Sequence, residues 1–212
     1  MTISQKVAQV ILDIDAVKIV PEPIKFKSGI LSPVYTDNRI FISHPKEWDT
    51  IILSFVELIK EKKIDFDVIA GIETAGIPHS SALAYVLQMP SVFIRKEAKD
   101  HGTKKRVEGG EVKGKKVLLI EDLVSTGMSS LSGVQALRDE GAIVEDCLVI
   151  IQYAFPEAVE AFQKAKVVLH ALTTFPDVLK EMKAGSKYSK DGIMRMQEWL
   201  KDPWSWTKAH LT

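Results

Sequence analysis

The sequence predicts an α/β fold: a mainly parallel central sheet with helices on both faces, preceded by a small β element. Three observations carry that prediction. Short continuous apolar runs end at Gly71, Arg95, Glu121, Tyr153 and Leu172, as in strands that are buried on two faces. Segments of helical period separate most of them. The chain's 212 residues, 46% of them hydrophobic, suit one domain that buries roughly 70% of its unfolded surface.

The elements follow in order. Ile3, Val7, Val10, Ile11 and Ile14 share one face of an opening helix. Residues 21–40 mix Pro, Gly and Ser with short apolar pieces and suit a small irregular β element. From residue 45 to about 62 helical spacing returns, with Pro45 in a first-turn position where its missing N–H has no helical partner to lose. The strands are FDVIAG, MPSVFIR, KVLLIE, DCLVIIQY and AKVVLHAL, with helices at 77–87, 128–140 and 156–164. Residues 96–115 show neither period, and so long a loop inside a compact domain suits a functional lid. A terminal amphipathic helix spans about 189–201. With no internal repeat or linker, 1–212 reads as a single domain.

Composition excludes several classes. The chain has 28 Lys and Arg against 28 Asp and Glu, which argues against a globally basic surface that wraps nucleic acid. Its single cysteine, Cys147, lies in an apolar run and reads as a small buried hydrophobe. No apolar stretch approaches the ~20 residues of a membrane helix, and the N-terminus lacks a signal-peptide pattern, so a cytoplasmic protein is expected. His44, His79, His170 and His210 are scattered without metal-ligand spacing. Trp199, Trp204 and Trp206 suit packing of the last helix rather than stacking on bases.

In parallel sheets ligands bind beyond the carboxyl ends of strands, which directs attention to VLLIEDLVSTGMSS, residues 117–130. A buried strand delivers Glu121 and Asp122, then a small-residue turn (Ser125, Thr126, Gly127), then a helix. Successive N–H groups and hydroxyls at a helix N-terminus form a phosphate cup. The acids would repel a phosphate, so they serve another part of the ligand, either vicinal ribose hydroxyls or a metal that holds them. The cluster reads as a site for a phosphorylated sugar; the plain alternative is that residues 125–129 merely cap the helix. Upstream, Gly109, Gly114 and Lys115 mimic a Walker loop, but Lys116 stands where Ser or Thr would hold magnesium, and a strand follows instead of a helix.

The stretch VLLIEDLVSTGMS resembles the 5-phosphoribosyl-1-pyrophosphate (PRPP) signature of type I phosphoribosyltransferases. The resemblance implies that Glu121 and Asp122 face the ribose hydroxyls. It further implies that Leu123, Val124, Ser125, Thr126, Gly127, Met128 and Ser129 bind PRPP, with 125–129 cradling the 5-phosphate. RKEAKDHG, residues 95–102, is similar to the R-K-x-x-K-x-H-G of the orotate phosphoribosyltransferases in that family, whose mobile loop closes over the pyrophosphate. A highly charged leaving group needs positioned cations, and Arg95, Lys96, Lys99 and His101 would supply them. The plain alternative is a solvated basic loop. In the family the residues matching Lys99 and His101 reach into the neighbouring subunit, which implies a homodimer with shared active sites.

Residues 25–39 resemble the family's N-terminal hood, F-x-x-S-G followed by S-P-x-x-x-D-x-R, formed here from about 20–42. Lys27 would lie near substrate phosphates and Tyr35 or Arg39 near the base; otherwise Gly29 and Pro33 are simply turn residues. GIETAGIP, residues 71–78, matches the pyrophosphate loop in position and glycine spacing, with Thr74 and Ala75 at the PRPP. One branch of the family has Tyr-Lys there, and an orotate-binding Arg where Tyr153 stands. This chain departs from both, which leaves Ser125 as a hydroxyl near the base and Arg39 as the candidate for the orotate carboxylate.

Taken together, the resemblance implies an orotate phosphoribosyltransferase that converts orotate and PRPP to orotidine 5-monophosphate and pyrophosphate in de novo pyrimidine biosynthesis. Glu121, Asp122 and Lys99 would be its catalytic groups. Its cofactor would be magnesium, held mainly by PRPP, with Glu121 and Asp122 as the protein's contributors. The rivals are a phosphoribosyltransferase for another base and a regulatory protein that binds PRPP without chemistry. The lysine-bearing loop argues against the second. Residues 95–116 hold nine Lys and Arg against four acids, +5 in a neutral chain, a compact cationic lid suited to a small, highly charged substrate.

Overall fold

The computed structural model describes residues 1–97 and 105–211. Helix α1 (Ile3–Asp13) opens with a reciprocal cap: the Thr2 hydroxyl accepts from the Gln5 N–H while the Gln5 side chain accepts from the Thr2 N–H. Strands β1 (Val17–Lys25) and β2 (Leu31–Thr36) form an antiparallel hairpin with a register shift between Ile19 and Ile24. A 3-10 helix (Asn38–Ser43) leads into α2 (Pro45–Lys62). Pro45 starts α2, Glu47 lies in its first turn and Lys60 and Lys62 in its last, each charge matched to the helix dipole.

The core alternates as expected: β3 (Val68–Ile72), α3 (Gly76–Leu87), β4 (Ser91–Ile94), β6 (Val117–Val124), α4 (Met128–Asp139), β7 (Asp146–Gln152), α5 (Pro156–Lys164) and β8 (Val168–Thr174). The stretch without period contains one strand that the sequence reading did not anticipate. This is β5 (Val107–Glu108), which pairs antiparallel with β4; two residues are too few to show any period. The chain closes with α6 (Phe175–Ala184), α7 (Lys190–Lys201) and α8 (Pro203–Ala209). Of these only α7 was expected, although Phe175, Val178, Leu179 and Met182 repeat at helical spacing.

The six-stranded sheet runs β5-β4-β3-β6-β7-β8, parallel except at β4–β5. Alternate residues of its central strands feed two apolar layers. Ile69, Leu118, Ile120 and Leu148 face α1, α2, α3 and α6, while Val68, Leu119, Cys147 and Val149 face α4 and α5. Each fully buried Leu or Ile contributes about 1.5–3 kcal/mol. Exposed ion pairs such as Lys62–Glu61 contribute about 0–1 kcal/mol, so the two layers hold the fold. Trp199 and Trp206 are buried and Trp204 is exposed.

His79, on α3, is fully buried beside Phe41 and Trp48. The Trp48 indole N–H donates to its Nδ1 at 3.0 Å, so the ring is neutral with its proton on Nε2. Burial pulls its pKa from 6.5 down to about 4. The unfolded chain therefore takes up a proton at higher pH than the folded one. The contribution of His79 to stability is full above pH 6.5 and falls by about 3 kcal/mol as pH drops to 4. Urea unfolding across this range should show a steeper acid limb for the wild type than for His79→Gln. Identical limbs would contradict the assignment.

Candidate active site

Strands β3 and β6 are neighbours, yet from β3 the chain moves to β4 on one side and from β6 to β7 on the other. The connections diverge and open a crevice at this switch point. Four buried apolar residues, Val117, Leu118, Leu119 and Ile120, carry β6 into it. Strand alternation then sends Glu121 toward α4 and half-buried Asp122 toward the hairpin side. The strand continues through Val124, three residues past the expected end at Glu121.

The acids share one environment. Glu121 is buried, and its Oε1 accepts from the Asp122 N–H at 3.2 Å. Burial, reinforced by the charge of Asp122, pushes Glu121 well above the usual carboxylate range, partly offset by the Asp122 N–H and the Ser129 hydroxyl. Burial also raises Asp122, against the lowering influence of the Glu121 hydrogen bond and the Arg39 charge. The pair is desolvated, which favours a ligand that brings hydroxyl donors or positive charge.

Residues 125–127 turn the chain into α4. Gly127, at φ +81°, is the residue before the helix, and a Cβ there would meet the Phe162 ring at 2.9 Å. No side chain caps α4, so the capping alternative for residues 125–129 fails. Its first N–H groups remain available to an anion.

A second uncapped helix, α3, begins at the same crevice after Ala75. A Cβ on Gly76 would lie 2.6 Å from the Ile120 carbonyl oxygen and 3.5 Å from Glu121 Cα. Only glycine lets this turn sit against the strand that carries the acids. Thr74 is exposed and Ala75 half-buried in the turn, and the Glu73–Thr74 peptide is cis. The Glu73 carboxylate accepts from the Lys96 N–H at 2.9 Å, tying this turn to the end of β4.

Arg95 pairs with Glu108 of β5 at 3.3 Å, and the Arg106 guanidinium donates to the Arg95 carbonyl and to Ser132 of α4. Lys96 is exposed. Lys99 and His101 lie outside the described residues.

On the hairpin side the Arg39 guanidinium donates to both Asp37 oxygens, at 2.6 and 2.9 Å, and to the Tyr35 hydroxyl at 2.9 Å. This pairing holds Asp37 below the usual carboxylate range and raises Arg39, which the Asp122 charge raises further. Lys27 is exposed on the β1–β2 turn, while neighbouring Phe26 packs on Tyr153. Tyr153 is buried among Phe155, Phe175 and Trp199 and presents no group to the crevice.

Sequence reasoning missed Asn38, whose amide donates to the Asp122 carbonyl at 2.9 Å, and the link made by Glu73. Neither carries a sequence signal, since an Asn after Asp looks like a turn residue. Among the described residues no group of three or more His, Cys, Asp or Glu could hold a metal by itself, and no helix is long and apolar enough to cross a membrane.

Residues 43–168 match the family model described as phosphoribosyl transferase domain. The orotate phosphoribosyltransferase of Coxiella burnetii is 41% identical over 209 residues, 97% of this chain and 99% of that one. That of Streptococcus mutans is 41% identical over 207 residues, with the same shares. Among solved structures, the orotate phosphoribosyltransferase of Aeropyrum pernix aligns with TM-score 0.75 and 27% identity over 85% of this chain and 99% of that one. Leishmania donovani UMP synthase aligns with TM-score 0.83 at 24% identity, over 93% of this chain and 42% of that one, a likeness of fold.

Proposed function

The chain belongs to the phosphoribosyl transferase family, in its orotate branch, and from that membership we propose how its residues divide the reaction. The activity is transfer of the 5-phosphoribosyl group from PRPP to orotate, giving orotidine 5-monophosphate and pyrophosphate in pyrimidine biosynthesis. One observation carries the residue assignment: two uncapped helix N-termini converge on buried Glu121 and half-buried Asp122.

The N-terminus of α4, with Leu123, Val124, Ser125, Thr126, Gly127, Met128 and Ser129, holds the 5-phosphate end of PRPP. Glu121 and Asp122 accept hydrogen bonds from the ribose hydroxyls. Thr74, Ala75 and the N-terminus of α3 receive the pyrophosphate, with Lys27, Arg95, Lys96, Lys99 and His101 as its cations. As the bond from C1 to pyrophosphate breaks, its electron pair leaves with the pyrophosphate oxygen and the sugar gains oxocarbenium character. The acid pair stabilises that positive charge, Lys99 the departing negative charge, and an orotate ring nitrogen closes the new bond to C1 as its N–H proton passes to solvent or to the departing pyrophosphate.

Two carboxylates, with no third protein ligand among the described residues, suit a magnesium ion that takes its remaining oxygens from a diphosphate and water. Glu121 and Asp122 are the residues that would hold it. When bound, the ion neutralises pyrophosphate charge. Tyr35, Arg39 and Ser125 receive orotate, with Arg39 facing its carboxylate.

A homodimer belongs to the same reading, with Lys99 and His101 crossing to the partner's site. Helix α3 supports it, since it presents two large apolar side chains to solvent, Tyr85 at 78% and Val86 at 48% exposure. The reading also treats 1–212 as one domain with a hood at 20–42 and a lid at 96–115, and places it in the cytoplasm, where its small soluble substrates occur. Incubation with magnesium, PRPP and orotate should consume one orotate per pyrophosphate released and yield orotidine 5-monophosphate. Pyrophosphate without nucleotide would overturn the assignment.

A further inference from the structure

The reaction as divided above uses Tyr35 and Arg39 but leaves unexplained why Asn38 is buried and why Thr36 turns away from them. Residues 35–39 alternate. Tyr35, Asp37 and Arg39 form the hydrogen-bonded set that faces outward. Thr36 and Asn38 point inward, where each meets a residue at the carboxyl end of a sheet strand. The Thr36 hydroxyl hydrogen-bonds the Tyr153 hydroxyl at 3.0 Å, and the Asn38 amide donates to the Asp122 carbonyl at 2.9 Å.

Tyr153 is well suited to be a fixed post. Its backbone N–H donates to the carbonyl of Val124, the last residue before the phosphate cup. Its ring is stacked on Phe155 at 5.4 Å and edge-on to Trp199 at 5.3 Å. The Trp199 indole N–H in turn donates to the Leu31 carbonyl at the start of β2. Thus β2 is anchored at both ends to the aromatic cluster, and Tyr153 itself is joined to the strand end that leads into the cup. Asn38 adds a direct tie to the acid pair and is itself fully buried.

We propose that Thr36, Asn38 and Tyr153 are positioning residues, whose two part-buried hydrogen bonds hold Tyr35, Asp37 and Arg39 in register with Glu121 and Asp122. This rests on the reading of Tyr35 and Arg39 as the orotate side of the site. Losing either tie leaves the phosphate cup and both uncapped helices intact. It loosens only the element that must meet the base, so the penalty falls on orotate rather than on PRPP.

The test is a double-mutant cycle on steady-state kinetics. Thr36→Val and Tyr153→Phe remove one hydroxyl each at nearly constant shape. Each should raise the KM for orotate about tenfold, the effect of one hydrogen bond, with the KM for PRPP changed less than twofold. The double variant should be no worse than either single one, because both remove the same bond, and Thr36→Ser should restore wild-type values. Asn38→Leu should show the same split between substrates. Unchanged orotate KM values, equal rises for both substrates, or additive effects in the double variant would each overturn the proposal. A wild type that does not turn over orotate would instead refute the functional reading on which it rests.

Discussion

Asp122→Asn is expected to lower kcat/KM for PRPP about 10²–10³-fold, the scale set by removing one preorganised electrostatic group from a reacting centre. The substitution keeps size and shape but replaces one acceptor oxygen by a donor and removes the negative charge that the ribose hydroxyls and the developing cation require. The fold should not suffer. Asn38 contacts the Asp122 backbone carbonyl, which the variant retains. Both members of the acid pair are raised by burial, so the folded state binds their protons more tightly than the unfolded chain. That makes the ionised pair a liability that grows as pH rises through the carboxylate range and beyond. At pH 7 the melting temperature of Asp122→Asn should equal or exceed that of the wild type while activity collapses. A parallel loss of both would reduce Asp122 to a structural residue.

Lys99→Ala is expected to lower kcat about 10²–10³-fold while the KM for PRPP moves only a few-fold. The reasoning is one of timing. In the proposed division of the reaction α4 and the acid pair hold the 5-phosphate and ribose from the first encounter, whereas negative charge accumulates on the pyrophosphate only as the bond to C1 breaks. A cation on the lid acts on the second event. Stopped-flow single-turnover measurement separates the two, and an unchanged chemical rate would remove Lys99 from the mechanism. If the lysine acts across the dimer, mixing inactive Lys99→Ala with inactive Asp122→Asn subunits should restore activity in hybrid dimers.

The sheet and the acid pair were legible because their signals are local. Buried parallel strands read as apolar runs, and Glu121-Asp122 followed by Ser125, Thr126 and Gly127 has few structural uses besides an anion site. The uncapped start of α4 strengthened that reading, since the hydroxyls present in sequence do not cap the helix. What stayed hidden depends on partners distant in sequence. Tyr153 reads as the end of an apolar run, and nothing in sequence reveals that its hydroxyl meets Thr36, 117 residues away. Asn38 is a polar residue buried through a contact 84 residues away. Strand β5 is recruited by β4 and has too few residues to announce itself. Arg39 was chosen as the partner of the orotate carboxylate; the structure adds that Asp37 already neutralises much of its charge. In the proposed role it would meet the base as part of a hydrogen-bonded unit with Asp37 and Tyr35.

The central claim is that this crevice joins PRPP to orotate in preference to other bases. It is tested most directly by measuring pyrophosphate release with magnesium, PRPP and, in separate reactions, orotate, uracil, adenine and hypoxanthine. The account predicts rapid release with orotate and release at the level of the base-free control with the others. Release with uracil or a purine but not with orotate would contradict it.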